Sequence, residues 1–194
     1  MTLTEFDRQY TGVVCGVDEA GRGPLAGPVC VAACILPQDC QIEGLNDSKK
    51  LTPKKRDALF DAICASAVEY KIILIDEKTI DEINILQATL LGMKQAIEQL
   101  QHVPDMALID GNKCPDTAIS CQAVVKGDGK SASVAAAIIL AKVTRDRIME
   151  QYAQVYPGYG FAKHKGYGTK LHYEAIRQLG VCPIHRKSFL KKMH

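Results

Sequence analysis

The sequence predicts an α/β fold in which helices cover a mixed β-sheet, and three observations lead to this prediction. Two apolar, β-branched-rich segments occur in succession near the start of the chain. Further strand-like segments then alternate with segments of helical periodicity, an order typical of a mixed sheet with flanking helices. The chain has 194 residues, of which 47% are hydrophobic, so it can form one domain with a proper core.

Five strands and four helices follow from these patterns. The short apolar segments predict strands at residues 12–17, 28–36, 71–75, 106–109 and 118–125. The segments with apolar residues at helical spacing predict helices at about residues 53–68, 79–100, 131–152 and 169–179. Because the glycine-rich turn GRGPLAG joins the first two strands, we expect these strands to pair antiparallel.

Capping residues predict where the helices begin and end. Thr52 precedes Pro53, which is typical of an N-cap followed by proline at the first helical position. Thr79 with Glu82 matches a capping box, in which each side chain satisfies a backbone N–H of the first turn. The pair Pro157–Gly158 is expected to end the third helix, and a basic, glycine-containing loop follows it.

The composition indicates a soluble protein that is not exported. The first residues are polar, and no apolar stretch reaches the roughly 20 residues needed to cross a bilayer. The eight cysteines contain no CxxC pair, so a zinc knuckle is not expected. Four of them lie in apolar runs and are expected to be small buried hydrophobic residues: Cys15, Cys30, Cys34 and Cys64. Reduced cysteines fit a cytoplasmic location.

Charge is distributed unevenly along the chain although the net charge is only +2. From Lys142 to the C-terminus there are eleven Lys or Arg residues against three Asp or Glu residues. This distribution suits an enzyme that binds metal with its acidic part and a polyanion with its basic part, but an ordinary solvated surface explains it equally well. We expect residues 1–194 to form a single catalytic domain, in which residues from about 160 to 194 form a basic, substrate-contacting segment.

Four acidic residues follow predicted strands. Asp18 and Glu19 come directly after the first strand, Asp110 follows the fourth, and Asp128 follows the fifth. Ligands usually bind at strand ends of α/β sheets, so these acids can share one site if their strands are neighbours. Carboxylates at close range repel one another, and their hard oxygen atoms select Mg²⁺ or Mn²⁺ as the compensating ion. Each acid alone is more typical of an ordinary loop residue; the repetition at three strand ends favours a metal site.

Two glycine motifs that resemble nucleotide-binding sites are excluded by their context. Gly21, Gly23 and Ala26 match the spacing of a dinucleotide fingerprint, but the segment after them predicts a strand instead of the required helix. GDGKS at residues 127–131 resembles the end of a P-loop, but Val124 stands where the first glycine is required.

Six segments cover nearly the whole chain in the order of one known family. They are GVDEAGRGPLAGPV at residues 16–29, NDSKKL at 46–51, LIDGN at 108–112, VKGDGKSASVAAAIILAKVTRD at 125–146, HKGYGTKLH at 164–172 and PIHRKSF at 183–189. Together they resemble bacterial ribonuclease HII, the type 2 ribonuclease H family. DEAGRGP and KGYGT are the most specific of these motifs. The resemblance implies a ribonuclease H-like fold with a basic helical C-terminal part, and a monomer.

The resemblance implies an endonuclease that hydrolyses the RNA strand of RNA–DNA hybrids and cuts 5′ of ribonucleotides embedded in duplex DNA, leaving 5′-phosphate and 3′-hydroxyl ends. It implies a catalytic and metal-binding set of Asp18, Glu19, Asp110 and Asp128 that holds two Mg²⁺ or Mn²⁺ ions about 4 Å apart. In that scheme Asp18 bridges the ions, Glu19 and Asp110 bind one of them, and Asp128 binds the other. Positioning and charge neutralisation by paired ions are what phosphoryl transfer chiefly needs.

The resemblance also implies how the substrate is recognised. Gly21, Arg22 and Gly23 match the GRG element whose backbone contacts the 2′-hydroxyl, and Tyr167 matches the tyrosine that packs on the sugar at the RNA–DNA junction. The candidate phosphate contacts, each equally well explained as an exposed solvated charge, are Lys49, Lys50, Lys130, Lys142, His164, Lys165 and Arg186. Weaker candidates for orienting groups of the site are Asn112, Ser131 and Ser133.

Two positions depart from the family pattern, and two other functions stay open. Ile138 stands where serine is frequent, so a hydrogen bond is lost if this position faces the site. Gly129 stands where alanine or serine is common, which allows a looser loop. A DNA-specific nuclease or recombinase with the same fold would cut an all-DNA duplex equally well. A non-catalytic nucleic-acid-binding module would use the basic face alone.

Overall fold

The computed structural model describes residues 1–45 and 51–191, which form a five-stranded mixed sheet with helices on both faces. The strands are β1 (Val14–Ala20), β2 (Val29–Ile35), β3 (Glu69–Ile75), β4 (Met106–Asp110) and β5 (Cys121–Val124). The helices are α1 (Leu3–Asp7), α2 (Pro53–Ser66), α3 (Glu77–Glu98), α4 (Ala132–Val155), α5 (Phe161–His164) and α6 (Lys170–Leu179). The predicted α/β fold is therefore confirmed.

The strand order β3-β2-β1-β4-β5 places β1 at the centre of the sheet. Strand β2 pairs antiparallel with β1, as predicted from the turn that joins them, and β3 pairs antiparallel with β2. Strand β4 lies parallel to β1, and β5 lies parallel to β4. Because β1, β4 and β5 are parallel neighbours, their carboxyl ends lie at one edge of the sheet. This is the arrangement that the candidate acids need in order to meet.

Helix α3 packs on one face of the sheet and α4 on the other. Side chains alternate along a strand, so Cys15 and Val17 of β1 face the apolar side chains of α3. On the opposite face the alanine-rich first half of α4 packs against β2, and α2 packs against α4. Gly16 lies on this second face, where a Cβ atom would be 2.1 Å from the backbone nitrogen of Val134. The absence of a side chain at Gly16 lets α4 lie this close to β1.

The predicted N-cap of α2 and the predicted end of α4 agree with the structure, and two further helices are capped by side chains. The side chain of Thr52 accepts a hydrogen bond from the backbone N–H of Lys55 at the start of α2, and Thr169 caps α6 in the same way. Ser131 caps α4, which ends at Val155, just before the predicted Pro157–Gly158 break. Two short helices, α1 and α5, were not predicted, because four or five residues are too few to show helical periodicity.

The predicted start of α3 is wrong. The helix begins at Glu77, and the side chain of Asp76 caps it by accepting a hydrogen bond of 2.8 Å from the backbone N–H of Thr79. Thr79 is therefore inside the first turn instead of before it. The backbone of Asn84 has φ 68°, which interrupts the helix, and its side chain accepts a hydrogen bond from the backbone N–H of Gln87. Asn84 thus caps the second half of α3.

Two further details differ from expectation or complete it. Strand β1 extends through Ala20, so Asp18 and Glu19 lie inside the strand and not after it. Cysteines 15, 30 and 34 are buried as predicted, whereas Cys64 is only half-buried, and all eight cysteines have free thiols. Among residues 1–45 and 51–191, no helix has the length and apolar character needed to span a membrane.

Candidate active site

Asp18 and Asp110 lie side by side at the carboxyl edge of the sheet. The preceding residues of the two parallel strands, Val17 and Ile109, are register partners. The next position along each strand is an aspartate, which puts the two carboxylates on neighbouring strands at the same level. Glu19 follows Asp18 directly in β1 and lies at the same edge of the sheet. The predicted neighbourhood of these three acids is therefore present in the fold.

Asp128 reaches the same edge through a short turn after β5. Asp110 pairs with Val124, the last residue of β5, and a 3₁₀ turn over Gly127–Gly129 carries Asp128. The backbone N–H of Gly127 donates a hydrogen bond of 2.6 Å to Oδ1 of Asp110, which ties this turn to β4. Asp128 is buried and lies close enough to Asp18 for its charge to act on that carboxyl group.

The four acids repel one another in a poorly hydrated setting. Asp18 is only 4% exposed, and burial raises the pKa of its carboxyl group well above the usual range. The charges of Asp110, Glu19 and Asp128 raise this pKa further. Burial also raises the pKa of Glu19, although Arg22, with Nη1 at 3.4 Å from Oε1, opposes this shift. The protein alone thus leaves negative charge here that a cation would neutralise.

The donor atoms of this cluster fit a divalent ion. Oε2 of Glu19 is buried and has no hydrogen-bond partner among the described residues. Carboxylate oxygens are the ligands that Mg²⁺ and Mn²⁺ prefer. Within residues 1–45 and 51–191, no three His, Cys, Asp or Glu side chains are already arranged around one ion position. Asp18 and Asp110 accept hydrogen bonds from the backbone N–H groups of Glu19 and Gly127.

The residues predicted to sense the ribonucleotide lie next to the acids. Gly21–Gly23 follow β1 directly, and a Cβ atom on Gly23 would be 3.7 Å from the ring of Tyr167. Tyr167 is 45% exposed, so its ring can be reached by a ligand. Glu19, Lys142 and these residues line a common recess of about 260 Å³. The structure thus brings together two sequence motifs, GRG and KGYGT, that are at least 142 residues apart in the chain.

Two buried arginines hold the turn that contains Gly21–Gly23. Arg145 is 2% exposed and donates hydrogen bonds to backbone carbonyl oxygens in both the Gly21–Pro28 turn and the Lys165–Tyr167 loop. Arg186 is fully buried and donates to carbonyl oxygens of the Gly21–Pro28 turn. The prediction that Arg186 contacts a phosphate is therefore wrong. Burial lowers the pKa of Arg186 to about 9, which leaves the guanidinium charged at neutral pH.

Sequence reasoning missed Arg145, although a signal for it exists. Arg145 lies four residues after Ala141 and four before Met149, and both of these residues face the core on α4. A charged residue on the buried stripe of a helix needs partners inside the protein. The sequence can therefore indicate that Arg145 is held by internal acceptors, but it does not identify them.

The other candidate phosphate contacts differ in availability. His164 is buried, its Nε2 lies 2.7 Å from the carbonyl oxygen of Tyr159, and its Nδ1 accepts a hydrogen bond from Gly166. The prediction for His164 is therefore wrong as well. Lys142 pairs with Asp146 and Lys165 pairs with Glu150, at 2.7 and 2.6 Å. Lys130 is exposed, and Lys49 and Lys50 lie outside the described residues.

The weaker candidates and the family departures have local roles. Ser131 caps α4 through its side chain, and the backbone N–H of Ser133 donates a hydrogen bond to Asp7, whereas Asn112 is exposed. Ile138 packs against the core and also lines the recess beside Glu19, so it contributes an apolar wall where a serine would contribute a hydroxyl. A Cβ atom on Gly129 would meet nothing within 4 Å.

Three histidines form a buried cluster beneath Tyr167. The rings of His164 and His172 stack at 4.4 Å, and Nε2 of His172 lies 3.1 Å from Nε2 of His185. Nδ1 of His172 lies 2.9 Å from the carbonyl oxygen of Tyr167, and the backbone N–H of Cys182 donates to Nδ1 of His185. Burial lowers the pKa of all three, that of His172 to about 4, so the cluster is neutral at pH 7.

We expect this cluster to lower the free energy of unfolding in mild acid. The unfolded chain takes up protons on these histidines near pH 6.5, but the folded chain does not, so the free energy of unfolding decreases as pH falls from about 7 to about 4. Each proton taken up on unfolding changes that free energy by about 1.4 kcal/mol per pH unit. Urea unfolding measured across this range should show a smaller slope for His172→Gln. An equal slope in the variant would contradict a neutral, buried His172.

The chain is similar to known proteins in both sequence and structure. The family model described as Ribonuclease HII matches residues 15–192. The chain is 59% identical over 186 residues to the ribonuclease HII of Acetivibrio thermocellus, covering 96% of this chain and 72% of that protein. It is 57% identical over 180 residues to the ribonuclease HII of Caldicellulosiruptor saccharolyticus, covering 93% and 88%. The crystal structure of ribonuclease H2 from Pyrococcus horikoshii OT3 matches with a TM-score of 0.76 at 31% identity, covering 91% of this chain and 93% of that one.

Proposed function

The chain belongs to the ribonuclease HII family, and on this premise we propose which of its residues perform each part of the family's reaction. The protein is a metal-dependent endoribonuclease that degrades RNA in RNA–DNA hybrids and cuts at ribonucleotides within duplex DNA. The observation that carries the proposal is the meeting of four acids at one sheet edge, beside an exposed tyrosine and a glycine-rich turn.

The acids are proposed to hold the metal ions. Asp18 is the carboxylate on which the charges of Glu19, Asp110 and Asp128 all act, so it would be the ligand that two ions share. Glu19 and Asp110 would complete one ion site and Asp128 the other. Two bound Mg²⁺ or Mn²⁺ ions would supply an activated water and neutralise charge on the leaving 3′ oxygen. Burial and the neighbouring acids raise the pKa of Asp18 in the metal-free protein. A bound cation would oppose this shift by favouring the charged carboxylate, which supports the assignment.

Gly21, Arg22, Gly23 and Tyr167 are proposed to select the scissile phosphodiester. Backbone groups of the GRG turn would contact the 2′-hydroxyl, and the exposed ring of Tyr167 would pack on the ribose. Lys130 is free to contact a phosphate, whereas Lys142 and Lys165 would first leave Asp146 and Glu150. We further propose that residues 1–194 act as one catalytic unit, as a monomer in the cytoplasm, on duplexes that contain ribonucleotides.

One paired assay tests the proposed function. Duplexes of identical sequence, with and without a single ribonucleotide, are incubated with the protein in EDTA, Mg²⁺ or Mn²⁺. We expect cleavage 5′ of the ribonucleotide only when a divalent ion is present, and products with 5′-phosphate and 3′-hydroxyl ends. A site that hydrogen-bonds one hydroxyl should reject the all-DNA duplex by about 10⁴-fold.

The other outcomes of this assay identify the rival functions. Equal cleavage of both duplexes would indicate a DNA-specific nuclease. Binding without any metal-dependent cleavage would indicate a nucleic-acid-binding module. Ends that carry a 2′,3′-cyclic phosphate would contradict the proposed mechanism, because the nucleophile would then be the 2′-hydroxyl instead of water.

A further inference from the structure

We propose that Arg145 and Arg186 form a buried guanidinium clamp that turns the peptide N–H groups of Arg22 and Gly23 towards the substrate. Both arginines are positioning residues, because they act through the turn and do not touch the nucleic acid. This inference rests on the proposed role of Gly21–Gly23 in recognising the ribonucleotide. It goes further by naming what gives that turn its orientation.

The guanidinium of Arg186 fixes the direction of the carbonyl groups of Gly21 and Arg22. Nη2 of Arg186 donates to the carbonyl oxygen of Gly21 at 2.6 Å, and Nη1 donates to that of Arg22 at 3.0 Å. Nε and Nη2 of the same guanidinium donate to the carbonyl oxygen of Gly27 at 2.9 and 2.7 Å. Because Arg186 is fully buried, the carbonyl groups of Gly21 and Arg22 point into the protein.

Peptide geometry then sets the direction of the N–H groups of Arg22 and Gly23. In a planar trans peptide the carbonyl of one residue and the N–H of the next point in opposite directions. The carbonyl of Gly21 points inward, so the N–H of Arg22 points away from the clamp. The inward carbonyl of Arg22 likewise turns the N–H of Gly23 away. The clamp thus presents two neighbouring backbone donors, an arrangement suited to hydroxyl and phosphate oxygens.

Arg145 links the turn to the loop that carries Tyr167. Arg145 donates to the carbonyl oxygens of Ala26 and Pro28 at 3.0 and 2.9 Å, and to that of Lys165 at 2.9 Å. Its guanidinium carbon lies 6.0 Å from the centre of the Tyr167 ring. One side chain therefore fixes the distance between the GRG turn and the loop that carries the tyrosine.

The clamp is itself anchored at the C-terminal segment. The backbone N–H of Arg186 donates to the carbonyl oxygen of Leu25 at 2.8 Å. The side chain of Asp81 on α3 accepts hydrogen bonds from the backbone N–H groups of Lys187 and Ser188, each at 2.9 Å. Glu77 at the start of α3 provides a nearby negative charge for both arginines. The basic C-terminal segment therefore acts here from inside the protein.

A charge-conserving substitution separates the clamp from a simple positive charge. Arg186→Lys keeps the charge, but one ammonium group cannot span three carbonyl oxygens as the planar fork does. The matched control is Lys187→Met, which removes an exposed charge from the neighbouring position. Binding is measured in EDTA to duplexes with and without one ribonucleotide, and cleavage is measured in Mg²⁺.

The clamp predicts a specific loss of discrimination. Arg186→Lys should reduce the preference for the ribonucleotide-containing duplex about 10-fold and kcat/KM about 100-fold, because misplacement of about 1 Å has effects of this size. Its affinity for the all-DNA duplex should stay within twofold of wild type, and Lys187→Met should keep the full preference. A preference within twofold of wild type in Arg186→Lys would overturn the clamp. If wild type itself shows no preference, the proposed function fails instead.

A measurement on the wild-type protein covers the case in which Arg186→Lys does not fold. Amide hydrogen exchange followed by NMR should show fast exchange for Arg22 and Gly23. The amides of Leu25 and Gly27, which donate to carbonyl oxygens of Gly166 and Ile184 at 2.8 and 2.9 Å, should be protected at least about 100-fold. Equal protection of Arg22 and Gly23 in the free protein would show that their N–H groups point inward, which contradicts the proposal.

Discussion

Replacing Asp18 with asparagine should stabilise the metal-free protein while removing its activity. In the folded protein Asp18 keeps its proton to a higher pH than in the unfolded chain, because burial and three nearby acids raise its pKa. The free energy of unfolding therefore falls as pH rises above the ordinary aspartate value of 3.8. Asparagine has nearly the same shape but carries no charge, so this loss disappears in the variant.

The stability gain and the activity loss can be measured on one preparation. We expect the variant to be more stable than wild type near pH 7 in EDTA, with a higher midpoint of urea unfolding and a higher Tm. Cleavage in Mg²⁺ should fall at least about 10³-fold, since metal-assisted charge stabilisation is lost. The matched control is Asp61→Asn, which removes an exposed carboxylate from α2 and should change neither quantity.

Thermal melting with added metal tests the role of Asp18 in metal binding without measuring activity. Ions that bind only the folded protein raise its stability by about 2.7 kcal/mol at a concentration of 100 Kd. Wild type should therefore show a rise in Tm with Mn²⁺ that Asp18→Asn largely lacks. A variant that is less stable than wild type in EDTA would contradict the repulsion inferred at Asp18. A variant that retains metal-dependent cleavage would contradict its role as a ligand.

The fold class and the strand-end positions of the acids could be predicted because both depend on local pattern, whereas the meeting of the acids depends on which strands are neighbours. Strand-like and helix-like periodicity occur within windows of about ten residues, and the order of elements then restricts the sheet. Asp110 and Asp128 stand just at or after strand ends, where α/β sheets place ligands. Asp18 and Glu19 were predicted to follow β1, because charged residues at the last positions of a strand resemble the start of a loop.

The roles of Arg186 and His164 were mistaken because burial is a property of the whole fold. Both lie in a segment of high positive charge, and charge density alone predicts an exposed surface. Only the contact between the C-terminal segment and the turn after β1 shows that Arg186 faces carbonyl oxygens. The cap of α3 was misplaced for a more local reason, since Asp76 and Thr79 both suit an N-cap and the sequence does not decide between them.

Replacing Gly16 with alanine should strongly destabilise the folded protein. A Cβ atom at this position would lie 2.1 Å from the carbonyl carbon of Ser133 and from the nitrogen of Val134. Both are backbone atoms of α4, so no side-chain rotation relieves the clash, and the helix itself must move. Such overpacking costs about 3 kcal/mol, which corresponds to a decrease of about 6–12 °C in Tm.

The same displacement should reduce activity in the molecules that remain folded. Gly16 and Asp18 lie on the same face of β1, two residues apart, so a shift of α4 at Gly16 changes the packing around the buried carboxylate. The matched control is Gly129→Ala, because a Cβ atom there meets nothing within 4 Å and this backbone is not in the left-handed region. The control should be as stable as wild type or more stable by about 0.4–1 kcal/mol, so its Tm should be equal or slightly higher. A melting temperature for Gly16→Ala within 2 °C of wild type would mean that α4 does not pack on β1 as closely as the structure has it.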